Sequence, residues 1–283
     1  MAEAGDNATE TLAALRQRID SIDEAMHRLL IERSSVIDQL IEAKGTIRSG
    51  VAFRPQREAA MMRAIAARHS GNLPLATVEH LWREIISTFT YMQAPFRVVV
   101  QYGTDPVAIH DLARFAFGFS VELVRAETPE DVAATVASTG SDLGLIPLEE
   151  GRFTTPWWRT LSMAEGPRIM ALWPFIAGKG LPADVPAVVI SPMLAEPTPS
   201  DLAIFAAADD CEPGSAIPNA TLIADCPADG RREVLIAVDR GTPEATLTEA
   251  RLRDIVEVGG AAAGLSLARP RDPLRVRVEG SSQ

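Results

Sequence analysis

Cysteine is nearly missing: Cys211 and Cys226 are the only two in 283 residues. That excludes a disulfide framework, and their wide separation lacks the short paired spacing of a zinc site. The four histidines, His27, His69, His80 and His110, do not cluster, so no metal is expected. No run of about 18 apolar residues occurs, and the opening Met-Ala-Glu-Ala-Gly-Asp is acidic without an apolar h-region. Neither a membrane anchor nor an export signal is expected, and a reducing cytoplasm fits the cysteine count. Positive charge is in deficit, with 27 Lys and Arg against 38 Asp and Glu and a formal net charge of -11. Nucleic acid and anionic membrane surfaces both require a basic footprint, so neither is expected as a partner. A cofactor signature is missing too: Val258-Gly259-Gly260-Ala261-Ala262-Ala263-Gly264 does not keep dinucleotide spacing and reads as a small-residue loop or helix cap.

What is present is a balance of 47% hydrophobic and 23% charged residues, enough to bury a core without staples. The length suits two domains, here placed at 1–95 and 96–283. Residues 1–95 hold 11 basic and 12 acidic side chains and the remainder hold 16 and 26, so the acidity belongs to the second part. From Thr11 to about Ile47 the apolar residues Leu12, Leu15, Ile19, Ile22, Met26, Leu29, Val36 and Leu40 recur at spacings of three and four, the pattern of one long helix with a heptad seam. Pro55 opens a second helix running to about His69, where Ser70-Gly71-Asn72 stops it. A third begins near Thr77, turns Leu81, Trp82, Ile85, Ile86 and Phe89 inward, and ends before Pro95. So long a first helix cannot bury its seam on two shorter partners, which makes a second copy of the chain the expected cover.

After Pro95 the pattern changes to short β-rich runs at 97–101, 121–125, 142–148, 169–176, 187–191, 220–224 and 233–239, alternating with helical stretches, the grammar of an α/β domain. Pro and Gly are dense from Gly178 to Pro218, which suits either a hinge between lobes or long loops. Residues 245–283 suit either closing strands or a separate module. Trp157-Trp158 reads as packing.

Charges stand where the helical seam should be apolar. Counting on from Leu29, the next seam slot holds Arg33, and Lys44, eleven residues later, returns to within about 20° of it. Gln93 takes the slot after Trp82, Ile86 and Phe89. Glu58 shares a face with Met61, Met62 and Ile65, flanked by Arg54 and Arg57. Any one of these suits an interhelical salt bridge that fixes register. As a set they hold more inward cations than carboxylates, and the missing partner is a small dianion. Arg16 lies 28 residues before Lys44, or ~42 Å along the same helix, so within one site it would come from a second subunit.

Residues 11–95 resemble the all-helical chorismate mutases. The shared motif reads Leu15-Arg16-Gln17-Arg18-Ile19-Asp20, Glu32-Arg33, Ala43-Lys44, Arg57-Glu58 and Leu81-Trp82-Arg83-Glu84-Ile85-Ile86 leading to Gln93. The resemblance implies a three-helix intertwined homodimer, chorismate as substrate, prephenate as product and no cofactor. It implies that Arg16, donated across the dimer, and Arg33 clamp the substrate carboxylates, that Lys44 and Gln93 bond the ether oxygen, that Glu58 holds the ring hydroxyl, and that Arg57 supports the anionic side. Arg54 stands where many relatives have Asp, and Phe89 where many have a small hydroxyl residue, a role Thr88 or Thr90 would take.

From residue 97 a weaker resemblance appears to the prephenate dehydratase half of bifunctional mutase/dehydratases. It rests on Val100-Gln101-Tyr102-Gly103-Thr104-Asp105 and on Leu143-Gly144-Leu145-Ile146-Pro147-Leu148-Glu149-Glu150, and implies a two-lobed, periplasmic-binding-protein-like α/β fold. The dehydratase Gly-Thr-Phe-Ser turn is replaced by Asp105-Pro106-Val107-Ala108, and its Thr-Arg-Phe triplet survives only as Arg231-Arg232-Glu233. The domain therefore reads as noncatalytic, a support or a module for an aromatic amino acid effector or another shikimate-pathway enzyme. Two alternatives remain: a bifunctional mutase/dehydratase, and a noncatalytic mutase-like dimer serving as a binding module.

Overall fold

The computed structural model describes residues 2–43, 53–148, 153–177, 184–194, 199–209, 217, 219–228, 230–242, 246–247 and 252–266. The chain parts into two compact units, residues 1–48 and 49–283. The first is one helix, α1 (Ala2–Ala43). It starts nine residues before the expected Thr11, because one glycine, Gly5, costs a helix about 1 kcal/mol without stopping it. Lys44 and Ile47 lie outside the described residues. Leu12, Leu15, Ile19, Ile22, Met26, Leu29 and Val36 are each more than half exposed.

The second unit opens with a helical hairpin, α2 (Pro55–Arg68) and α3 (Leu75–Gln93). Pro55 occupies the first turn of α2, where its missing N–H is no loss. Helix α3 begins directly after Pro74, two residues earlier than the expected Thr77, and ends where the Ala94 amide bonds the Thr90 carbonyl ahead of Pro95. Its buried face differs in part from the expected one: Ile86 and Phe89 are buried, but Leu81 is 48% exposed.

The rest builds on a sheet. Its elements are β1 (Arg97–Gln101), α4 (Pro106–Phe117), β2 (Glu122–Ala126), α5 (Pro129–Thr139), β3 (Leu143–Pro147), β4 (Arg168–Trp173), β5 (Ile176–Ala177), β6 (Ala187–Ser191), β7 (Leu202–Asp209), β8 (Thr221–Ala228), β9 (Arg231–Asp239), β10 (Arg253–Ala261) and β11 (Leu265–Ser266). Nine strands form one mixed sheet in the order β2-β1-β3-β6-β4-β10-β7-β9-β8, and β11 pairs with β5 apart from it. Strands β2, β1 and β3 are parallel, joined by α4 and α5.

Side-chain alternation along β1 explains why those helices lie on opposite faces. Val98 and Val100 pack with Ile109, Leu112 and Ala116 of α4, whereas Val99 packs with Val132 and Val136 of α5. Both helices start on caps written in the sequence: the Asp105 side chain accepts from the Ala108 amide, and Thr128 and Asp131 form a capping box. Trp157 and Trp158 are buried in the α5-side core, as packing residues.

Two strands are not legible in the sequence. β7 is Leu-Ala-Ile-Phe-Ala-Ala-Ala-Asp, too rich in alanine to show a β-branched signal, and it falls inside the Pro- and Gly-dense stretch. β10 corrects the loop-or-cap reading of 258–264: Val258 to Ala261 are strand, inside the nine-stranded sheet, while β11 pairs with β5 apart from it. The glycines are there because β10 is squeezed between β4 and β7, and a Cβ on Gly259 would fall on the backbone of Ile169. Gly259→Ala is therefore expected to destabilise the protein by about 3 kcal/mol, read as a lowered midpoint in urea unfolding. A midpoint within error of the wild type would refute the close approach.

Candidate functional site

The inner face of the α2–α3 hairpin is covered by the sheet unit. Ala59, Met62, Ile65, Val78 and Ile86 form one apolar cluster with Phe175, Ile176 and Ala262. Arg63 Nη2 donates to Asp201 Oδ2 at 2.5 Å and to the Ala263 carbonyl at 2.7 Å. The Phe119 amide donates to Glu84 Oε2 at 3.0 Å, and the Ser87 hydroxyl bonds the Phe117 carbonyl.

Within this packing Glu58, in the first turn of α2, meets α3. Arg83 Nη1 donates to Glu58 Oε2 at 3.2 Å, and Arg83 Nη2 lies 3.6 Å from Glu79 Oε1. All three side chains are withdrawn from solvent, at 14% exposure for Glu58, 7% for Arg83 and 3% for Glu79. The guanidinium carbon sits 4.7 Å from the centroid of the Trp173 ring, a cation over an indole face. Beside the group is a small cavity of about 40 Å³, room for a few waters. Aromatic side chains Phe53, Phe96, Phe117, Trp173 and Phe175 line it, with Ser87 and Thr90 as polar members.

Two carboxylates share one cation here, and burial penalises the second negative charge. Desolvation pushes Glu58 up to about 7, against the opposing pull of Arg83 and a backbone hydrogen bond from Arg54. Glu79 is raised by the same cause, again opposed by Arg83. A buried carboxyl group that titrates near neutral pH can accept a hydrogen bond from a hydroxyl when ionised or donate one when protonated.

The other expected site residues are placed as follows. Gln93 Nε2 donates to the Phe89 carbonyl of its own helix at 3.0 Å. The Thr88 hydroxyl lies 3.5 Å from Glu84 Oε1 and 3.4 Å from the Ser120 hydroxyl. Arg57 is exposed. On α1, Arg16 is exposed and Arg33 half-buried, and Lys44 lies outside the described residues. The structure thus joins Glu58 to Arg83, Glu79 and Trp173, which the sequence does not single out. Glu79, Arg83, Ser87 and Thr90 at spacings of four, four and three are a polar stripe along α3, the one signal that could have found them. Nothing local marks Trp173.

In the sheet, Arg232 of the Arg231-Arg232-Glu233 triplet is 2% exposed. Its guanidinium bonds Asp225 at 2.9 Å and Asp209 at 3.0 Å, a cross-strand ion cluster. Burial, with Glu233 and Asp225 nearby, raises the Cys226 thiol to about 11, so it is not a nucleophile at neutral pH. Among the described residues no cluster of metal-ligating side chains occurs, and no helix is long and apolar enough to cross a membrane.

The Glu58 pocket has a measurable signature. Between the ordinary value of 4.5 and about 7 the folded protein keeps a proton that the unfolded chain gives up. Stability from this group is therefore complete below 4.5 and lost as pH rises through 7. Glu58→Gln cannot titrate, so its stability relative to the wild type should climb by roughly 2–3 kcal/mol from pH 4 to pH 8, measured by urea unfolding at each pH. A flat difference would show that the carboxylate is not buried as described.

Residues 15–94 match the family model described as chorismate mutase type II. Curated relatives carry the name bifunctional chorismate mutase/prephenate dehydratase. The Neisseria gonorrhoeae protein is 31% identical over 140 residues, half of this chain and 38% of its own length. Those of Aquifex aeolicus and Pseudomonas aeruginosa are 31% and 30% identical over 144 residues, half of this chain and 39% of theirs. The chain thus spans about two fifths of the length of these relatives, in a likeness too long to be confined to the helical segment. No solved structure matches the chain significantly. The motif order along α1, α2 and α3 agrees with this likeness of residues 15–94 to the chorismate mutase type II family.

Proposed function

We propose that this protein rearranges chorismate to prephenate in a site shared between two copies of the chain. The match of residues 15–94 to the chorismate mutase type II model carries the proposal. The reaction is a [3,3] shift that needs no nucleophile, metal or cofactor. It needs the flexible substrate folded into its reactive conformer, and charge stabilised on the oxygen of the breaking C–O bond.

Each proposed site residue fits one of those needs. Arg16 of one copy and Arg33 of the other pair with the two carboxylates, and Arg57 supports the anionic side. Lys44 and Gln93 donate to the ether oxygen, which gains negative charge only in the transition state. Glu58 accepts from the ring hydroxyl, with Thr88 as a further polar contact. The exposed apolar row of α1 from Leu12 to Val36 supports a second copy as its cover, since a monomer rarely leaves so much contiguous apolar surface in water.

The functional division is placed at 1–95 for the mutase and 96–283 for a noncatalytic α/β domain of two-lobed, periplasmic-binding-protein-like type, in a cytoplasmic protein. Two differently built halves of the sheet support the lobes: parallel β2-β1-β3 with two helices, and antiparallel β7-β9-β8. The Arg232 ion cluster supports a structural role for that triplet, because a guanidinium held by two buried carboxylates is not available to a substrate anion. The relatives' names favour a second reading, a bifunctional mutase/dehydratase. An aromatic amino acid or another shikimate-pathway enzyme is the proposed ligand of a noncatalytic second domain.

Purified protein given chorismate should yield prephenate without phenylpyruvate, and Lys44→Ala should lower the rate by at least 100-fold, as loss of one transition-state donor does elsewhere. Phenylpyruvate would establish the bifunctional reading; no turnover would leave the mutase-like dimer as a binding module. Gln93→Glu should move the activity to acid pH, because an ionised carboxylate repels the charge developing on the ether oxygen. An unchanged rate at neutral pH would remove Gln93 from the site.

A further inference from the structure

The arginine that pairs with Glu58 is held by side chains far outside the mutase segment. Arg83 lies over Trp173 at 4.7 Å and within 5.9 Å of the Phe175 ring, and both rings come from the end of β4 and the link to β5. Its Nη1 faces Glu58 at 3.2 Å and its Nη2 faces Glu79 at 3.6 Å. Its Nε is buried without a hydrogen-bond partner among the described residues. One hydrogen bond, from Nη1 to Glu58, does not by itself fix the plane of the guanidinium, and the indole face is what sets it.

We propose that Trp173, seconded by Phe175, is a positioning residue of the mutase site: it holds Arg83 against Glu58, and so keeps that carboxylate oriented and ionised for the substrate's ring hydroxyl. This rests on the chorismate mutase reading and on Glu58's role within it. It makes the sheet unit part of the catalytic apparatus and not only a tethered neighbour. The charged groups around Glu58 agree with it. Helix α3 supplies Arg83 and Glu79; α2 supplies Arg63, which lies 5.7 Å from the other ring, Phe175, and is already paired with Asp201. Arg54, just before α2, reaches Glu58 through a backbone hydrogen bond. The remaining lining from α4 and β6, Ala116, Phe117 and Val189, does not titrate. Arg83 is thus the cation whose charge opposes the effect of burial on Glu58, and moving it away weakens that opposition.

The test is the pH profile of kcat/KM for chorismate, which reports groups of the free enzyme, in the full-length wild type, Trp173→Phe and Trp173→Leu. The wild type should lose activity on the acid side with a midpoint near the Glu58 value of about 7. Trp173→Phe keeps an aromatic face and should keep that limb. Trp173→Leu should move the limb to higher pH, with kcat/KM at pH 6.5 falling about 10-fold, as expected for loss of a desolvated cation–π contact, and returning to within about 2-fold of the wild type well above the new midpoint. Circular dichroism verifies folding. Should Trp173→Leu fail to fold, Phe175→Leu serves in its place, with a smaller shift of the same sign. An unmoved limb, or a loss equal at every pH, overturns the positioning role while leaving the mutase reading intact. No turnover by the wild type at any pH overturns both.

Discussion

A single guanidinium, Arg83, buried between two carboxylates and capped by an indole, is the interaction on which the seating of the helical hairpin depends. An arginine taken out of water costs several kcal/mol unless its charge is met. Glu58 meets it from α2, Glu79 from its own helix and Trp173 from the sheet, so three parts of the chain must arrive together before the burial is tolerable. That requirement specifies one docking of the hairpin where the apolar cluster around Met62, Ile86 and Phe175 would by itself permit several. Burial raises Glu58 further than Arg83 can lower it, which is how a device for packing becomes a group that titrates near neutrality.

The sheet provides the rigid frame for that arrangement. Strict alternation along β1 sends Val98 and Val100 to α4 and Val99 to α5, so β1 is buried on both faces, as inner strands of parallel sheets are. The far part is antiparallel and has long strands, and β10 joins the two through glycines that let it lie against β4 without a side chain between them. Trp173 closes β4 at this junction, and its position is therefore set by backbone pairing and not by a mobile loop. A ring held in that way is a suitable wall for an arginine.

Helix α1 obeys a different constraint. Its apolar row is as regular as that of a coiled coil, yet the row is exposed along its length within one chain. That exposure sets α1 apart from α2 and α3, whose inner residues find their cover within their own unit.

Much of this fold is legible in the residues themselves. The three helices follow from spacing and from Pro55 and Pro95, because backbone geometry and proline act locally. Strands β1 and β6 follow to the residue from short apolar runs between turn signals. The motif running from Arg16 through Gln93 points to the chorismate mutase family, since each of its charges interrupts an otherwise apolar seam. β7 and β10 are not legible: alanine and glycine carry no strand signal of their own, and both strands exist because their neighbours supply the pairing. Nor is the Arg83 site. Glu58 announces itself by its place in a helical face, but Arg83 looks like one more surface arginine, and Trp173 lies ninety residues away with nothing in its surroundings to mark it. Local sequence determined which segments are helix or strand and which charges had to be met. Only the tertiary structure decided which partner meets them, because a buried charge is satisfied by whatever the fold brings within about 4 Å, at any distance along the chain.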